Sequence, residues 1–155
     1  MPGGTGVPAG TGDERELLLS WLNYLRAAVV RKAAGLDPEP ARWRPDGRLT
    51  SVAGLINHLT HVELRWIDGG FTPVTIGRSE AEFSPDRPIE ELVTSYTERG
   101  RRTDAFVRRT PLSEPCRIEP GTDLRWVLLH LINETGRHAG HADAVRELLD
   151  GTVGE

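Results

Sequence analysis

Of its 155 residues the chain spends one on cysteine, one on methionine and one on lysine. The lone Cys116 can form neither an intramolecular disulfide nor a cysteine-rich zinc site. It follows Pro115 in a proline-containing loop with no neighbouring base, so it reads as an incidental thiol rather than a nucleophile. No apolar run approaches the ~20 residues that cross a bilayer, so no membrane partner is expected. The opening MPGGTGVPAGTGDE lacks both the basic and the apolar region of a signal peptide, and a cytoplasmic location is expected. A basic excess is missing too: 19 basic residues face 23 acidic ones, for a net charge of −4. That argues against nucleic acid as a partner. The densest basic cluster, Arg99, Arg101, Arg102, Arg108 and Arg109, is interleaved with Glu98 and Asp104 and reads as a solvated helix face, with a patch for an anionic ligand as the lesser alternative. Strand patterns as long as the helical ones are also absent.

What is present is helical. A chain of this size suits one domain and can bury a core unaided. Residues 1–12, rich in Gly and Pro, are expected to be a disordered lead-in. Residues 13–151 are expected to form the folded unit, and 152–155 a tail. The first helix is predicted from about Asp13, a fitting N-cap, to Ala34 before Gly35. The second starts near Thr50 or Ser51 and ends at Asp68–Gly70. The third runs from Pro88 to about Arg109, with Gly100 weakening its middle. The fourth runs from near Thr122 to just before Gly151. Trp21, Trp66 and Trp126 are expected to pack in or near the core, and Trp43 to pin its connector to the bundle. Four amphipathic helices make an all-α, four-helix bundle. The first and third connections suit simple turns between antiparallel neighbours, and residues 71–87 are long enough for a crossover.

Two polar residues of the fourth helix project onto its apolar stripe. With Val127 at zero, Glu134 falls near about −20° and His138 near about +20° at the helical rotation of ~100° per residue. A carboxylate there is costly unless paired or bound to a metal. The i, i+4 spacing puts both side chains on one face, where they suit a shared ion or a simple salt bridge. His141 lies at the edge of the stripe and His130 further out. In the second helix, with Val52 at zero, His58 lies at about −120°, on the flank of the apolar face, and His61 at about 180°, nearly opposite it. Glu63 falls within that stripe.

The stretch LTSVAGLINHLTHVELRW resembles the second-helix pattern of the DinB-like superfamily, and NETGRHAGHADAVRELLDG resembles the last-helix pattern of its DUF664 branch. The similarity covers Asp13 to Gly151. It implies an up-up-down-down or similarly crossed four-helix bundle, often a homodimer, with a three-residue metal site. Many relatives use three histidines. Carried onto this chain, the ligands are His58, Glu134 and His138, with Glu134 as the departure, matching the variant of mycothiol-dependent maleylpyruvate isomerase. His61 does not align with a ligand. His141, Asp143 and Glu63 are candidates to support the ligands.

Two imidazoles and one carboxylate form a catalytic zinc set that keeps a position open, and they also suit nickel or iron. The resemblance implies S-transfer or isomerisation of a small-molecule substrate with mycothiol or another low-molecular-weight thiol. Two other readings stand beside it. One is metal-dependent hydrolysis with Glu63 or Asp143 as base. The other is a non-catalytic metal- or ligand-binding stress-response module.

Overall fold

The computed structural model describes residues 6–10 and 12–153. Of the expected lead-in, residues 1–5 and Thr11 lie outside the described residues, as do Gly154 and Glu155 of the expected tail. Among the described residues the only β pairing is an isolated bridge between Pro115 and Asp123. The rest of the regular structure is helix: α1 (Glu14–Arg31), a short α2 (Pro38–Arg42), α3 (Val52–Glu63), α4 (Ile89–Arg108) and α5 (Leu124–Asp150).

The long helices begin and end where local chemistry dictates. Asp13 caps α1 by accepting the Glu16 N–H at 3.0 Å, Ser51 caps α3 through Gly54 N–H at 3.0 Å, and Asp123 caps α5 through Trp126 N–H at 3.0 Å. Each side chain satisfies a backbone donor that the first turn leaves unpaired. Pro88 precedes α4, and Gly151, at φ +78°, closes α5 in the left-handed conformation that favours glycine. Helix α3 does not stop at Glu63. It continues through a π turn, Leu64–Asp68, and a last turn, Gly69–Phe71. Such one-turn widenings recur at functional sites.

Contacts between the helices fix their directions. Arg108 on α4 pairs with Glu16 at the start of α1, and Asp104 with Arg26 further along, so α1 and α4 are antiparallel. Arg125 pairs with Glu14 and Asp143 with Lys32, so α5 runs parallel to α1. His58 meets His138 and Trp66 meets His130, so α3 and α5 are antiparallel. Helix α3 packs on both α4 and α5, and α1 on both α5 and α4. Neither the first nor the third connection therefore joins closely packed neighbours as expected: α1 and α3, and α4 and α5, take diagonal positions, and α2 and its flanks carry the chain across the first. The expected crossover is real. Because α3 and α4 run the same way, residues 72–88 must return along the bundle, and they lay a 3-10 turn, Glu80–Phe83, against α3.

The apolar core is in two parts. One gathers Val29, Leu36, Ile56, Leu92, Tyr96 and Val145. The other gathers Leu19, Leu22, Val62, Val107, Leu124 and Leu131. On three helices a polar residue sits between the two contributions: Arg26 on α1, Thr103 on α4 and Thr135 on α5, all buried. Arg99, expected on a solvated face, is buried as well and reaches Asp68 at 3.2 Å, because the wide turn after Glu63 brings Asp68 toward α4. Trp43, expected to pin its connector, is 36% exposed.

Candidate metal centre

Three side chains from two helices converge at mid-bundle. His58, Glu134 and His138 each present a ligand-type atom, and these atoms lie within 4.8 Å of one another. Glu134 Oε2 is 3.2 Å from His138 Nε2, and the His58 and His138 rings meet edge to face with centroids 4.7 Å apart. The apolar stripe of α5 is centred further round than expected. Its buried positions include Leu128, Thr135, Ala139 and Ala142, so Glu134 and His138 lie on its flank. Their side chains are 28% and 19% exposed, whereas that of His58 is 3% exposed. Around the triad small residues, Thr135, Ala139 and Ala142, take the buried face of α5, and the longer polar ones lie beside them toward α3. The result is a dry wall on α3 facing a half-open pair on α5.

The electrostatics favour cation binding. Burial holds the pKa of His58 below its ordinary value, against the pull of a hydrogen bond to Glu82, and keeps the ring neutral with a lone pair to offer. The hydrogen bond with His138 holds the Glu134 carboxyl below the usual range despite partial burial. Nδ1 of His138 is buried without a hydrogen-bond partner. A neutral imidazole, an ionised carboxylate and a second imidazole make a donor set suited to a divalent ion. Rotation of the two partly exposed side chains of α5 can close the spread.

One residue of the site escaped sequence reasoning. Glu82, from the return segment, places Oε2 2.7 Å from His58 Nδ1. It is as buried as the histidine, and Arg65 on the π turn binds its carboxylate through two nitrogens at 2.9 and 3.2 Å. Burial alone would raise the pKa of Glu82; the hydrogen bonds from Arg65 and His58 outweigh it and lower it. Glu82 lies in a stretch without periodicity, and its only local signal is the Ser79 side chain capping the turn.

The supporting candidates are scattered. Glu63 is fully engaged by Arg26, at 2.6 and 2.9 Å, on the side of α3 that faces the bundle axis. Asp143 is half exposed and pairs with Lys32 at 3.1 Å, because its position turns toward α1. His141 alone stays near, its ring stacked 6.0 Å from that of His138. His61 turns back to the Asn57 carbonyl, 2.8 Å from its Nδ1. One turn before Glu134, His130 stacks parallel to Trp126 at 5.3 Å and meets Trp66 at 4.6 Å. These rings form an aromatic face one turn from Glu134, with Trp126 39% exposed rather than in the core.

Residues 17–151 match the family described as mycothiol-S-transferase. The chain belongs to that family. As a mycothiol-S-transferase relative it is a DinB-like protein, as its second and last helices implied, and the matched span takes in His58, Glu82, Glu134 and His138. Outside the mycothiol-S-transferase match, a glutamate–cysteine ligase from Erwinia tasmaniensis is 32% identical over 112 residues. That stretch is 68% of this chain and 20% of the ligase, so the chain spans about a fifth of that curated relative's length. No helix among the described residues is long and apolar enough to cross a membrane.

Proposed function

We propose that this protein is a metal-dependent enzyme of low-molecular-weight thiol chemistry, an S-transferase or isomerase, in which His58, Glu134 and His138 hold one divalent cation. The observation that carries the reading is the convergence of these three donors, within 4.8 Å, in a chain of the mycothiol-S-transferase family. Zinc is the first choice of ion, and nickel or iron would also fit the donors. When bound, the ion would lower the pKa of a thiol brought to it and so supply a nucleophilic sulfur near neutral pH. The thiol is mycothiol or a chemical relative. The likeness to part of a glutamate–cysteine ligase adds a related segment in a protein named for joining cysteine, itself a thiol.

The chain's own residues then have distinct tasks. His58, dry and neutral, anchors the ion from α3. Glu134 and His138, partly exposed, form the side through which the thiol enters. Trp66, Trp126 and His130 offer flat apolar faces beside that entrance for the acceptor. Cys116 is buried in the second core cluster and has no task in this scheme. The hydrolytic reading loses support here. The two bases it named are committed to cations, Glu63 to Arg26 and Asp143 to Lys32. We further propose a cytoplasmic homodimer whose folded unit spans residues 13–151; light scattering tests the assembly.

The experiment is metal analysis of untagged protein by mass spectrometry. About one equivalent is expected in the wild type, lost in His58→Ala, Glu134→Ala and His138→Ala and kept in His61→Ala. Thiol-consumption assays with mycothiol follow on the loaded protein. A wild type that takes up neither zinc nor nickel overturns the catalytic reading and leaves a binding module.

A further inference from the structure

A histidine that gives one nitrogen to a metal must carry its proton on the other, and something must hold that proton in place. We infer that Glu82 and Arg65 are positioning residues that lock the His58 proton on Nδ1 and keep its Nε2 lone pair free and aimed at Glu134 and His138. The inference rests on the metal reading above but concerns residues outside the triad.

The geometry is built around one carboxylate. Glu82 Oε2 meets His58 Nδ1 at 2.7 Å, and Arg65 occupies both oxygens at 2.9 and 3.2 Å. An ionised carboxylate accepts hydrogen bonds and cannot donate them. With an Arg65 N–H on each of its oxygens, Glu82 meets His58 as an acceptor, and the imidazole Nδ1 is the donor. No hydrogen bond to His58 Nε2 is present among the described residues, which leaves that nitrogen for a ligand. The ring plane is set as well: the Phe83 ring stacks on it with centroids 4.4 Å apart and planes 25° apart.

The backbone that delivers Glu82 is itself seated on α3. Asn57 Nδ2 donates to the Glu82 carbonyl at 2.8 Å. The Phe83 carbonyl lies against Gly54, where an added Cβ would collide with it. One helix thus carries the ligand (His58), two groups that hold its partner (Asn57 and Arg65) and the gap that admits the partner's backbone (Gly54). A carboxylate merely filling space in the return segment needs none of these.

The test reads the proton directly. Long-range proton–nitrogen correlations on ¹⁵N-histidine-labelled, metal-free wild type should show His58 protonated on Nδ1. Glu82→Ala should shift it toward the Nε2-protonated form, and zinc affinity, measured by chelator competition, should fall by about 10–100-fold. Glu82→Gln, which keeps an acceptor, should lose less. Arg65→Met should also lose less, through a carboxylate no longer held. Circular dichroism shows whether each variant folds; the wild-type tautomer needs no variant. A wild-type His58 protonated on Nε2, or a folded Glu82→Ala with unchanged tautomer and zinc affinity, overturns the inference. A wild type that binds no zinc but shows the Nδ1 proton, displaced in Glu82→Ala, leaves the lock standing and sinks the metal reading instead.

Discussion

Glu63 and His58 sit on the same helix, α3, and both are nearly dry, yet they belong to polar clusters of opposite character. Glu63 receives both forks of Arg26, at 2.6 and 2.9 Å, and the remaining Arg26 nitrogen reaches Asp104 at 2.8 Å and Asn23 at 3.0 Å. Arg26, Glu63, Asp104 and Asn23 each meet a partner of opposite charge or polarity. Around His58 the accounting stops short. Glu82 satisfies one nitrogen, while the other side of the ring faces a carboxylate and a second imidazole whose own Nδ1 has no partner. A closed cluster fixes the relation of helices; an open one waits for something to complete it. The difference separates scaffold from site in a molecule where burial alone does not.

The sharpest break of that comparison is to open the closed cluster. Arg26 spans the bundle diagonal from α1 to α3, and the Glu63 charge and its hydrogen bonds hold the Arg26 pKa above its ordinary value even though burial works against them. Removing one partner leaves a buried charge uncompensated, at a cost of about 3–5 kcal/mol. Glu63→Ala and Arg26→Met should each show that loss in urea unfolding, and the double variant Arg26→Met/Glu63→Leu should recover much of it. If the single variants unfold like the wild type, the knot is not the scaffold element described here.

The open cluster should behave in the reverse way. In metal-free protein, Glu134→Ala removes a partly exposed group, so stability should change by about 1 kcal/mol or less. Adding zinc should stabilise only the wild type. At a free concentration 100 times the dissociation constant, linkage predicts about 2.7 kcal/mol. A thermal scan with and without zinc checks this. Equal zinc stabilisation of wild type and Glu134→Ala would place the ion elsewhere.

How far these two clusters were legible in the sequence follows from their range. Helix ends were readable because caps are local: Asp13 and Ser51 act within three residues of themselves. Glu134 and His138 were readable because i, i+4 is local too, although their flanking position was not, since Ala139 gave little sign of lying on the buried face. His58 came from the resemblance; its spacing showed only a flank position. Glu82 had no such handle, because a residue in an aperiodic return segment is placed by topology. Glu63 did betray itself by lying in an apolar stripe. Its partner left a trace as well: Arg26 projects about 40° from Leu22 on α1, inside the stripe of Leu19, Leu22 and Val29. Two opposite charges on two apolar stripes are a pairing signal, and following it would have withdrawn Glu63 from the metal site.

Two glycines refine the contrast at smaller scale. Gly100 lies in α4 directly over the Arg26 guanidinium, where an added Cβ would come within 3.3 Å of Cδ, Nε and Cζ. Arg26 cannot yield, because Glu63 and Asp104 hold it from two sides. Gly100→Ala should therefore lose about 1 kcal/mol or more to overpacking despite its better helix propensity. Gly140 is the control. It lies within α5, exposed, with nothing within 4 Å of an added Cβ. Gly140→Ala should gain about 0.5–1 kcal/mol, the ordinary value for a helix interior. Opposite signs of the two changes in matched denaturation curves would show that the space beside the closed cluster is committed. A gain at both positions would mean that Arg26 can move, and that the knot is held less firmly than its distances indicate.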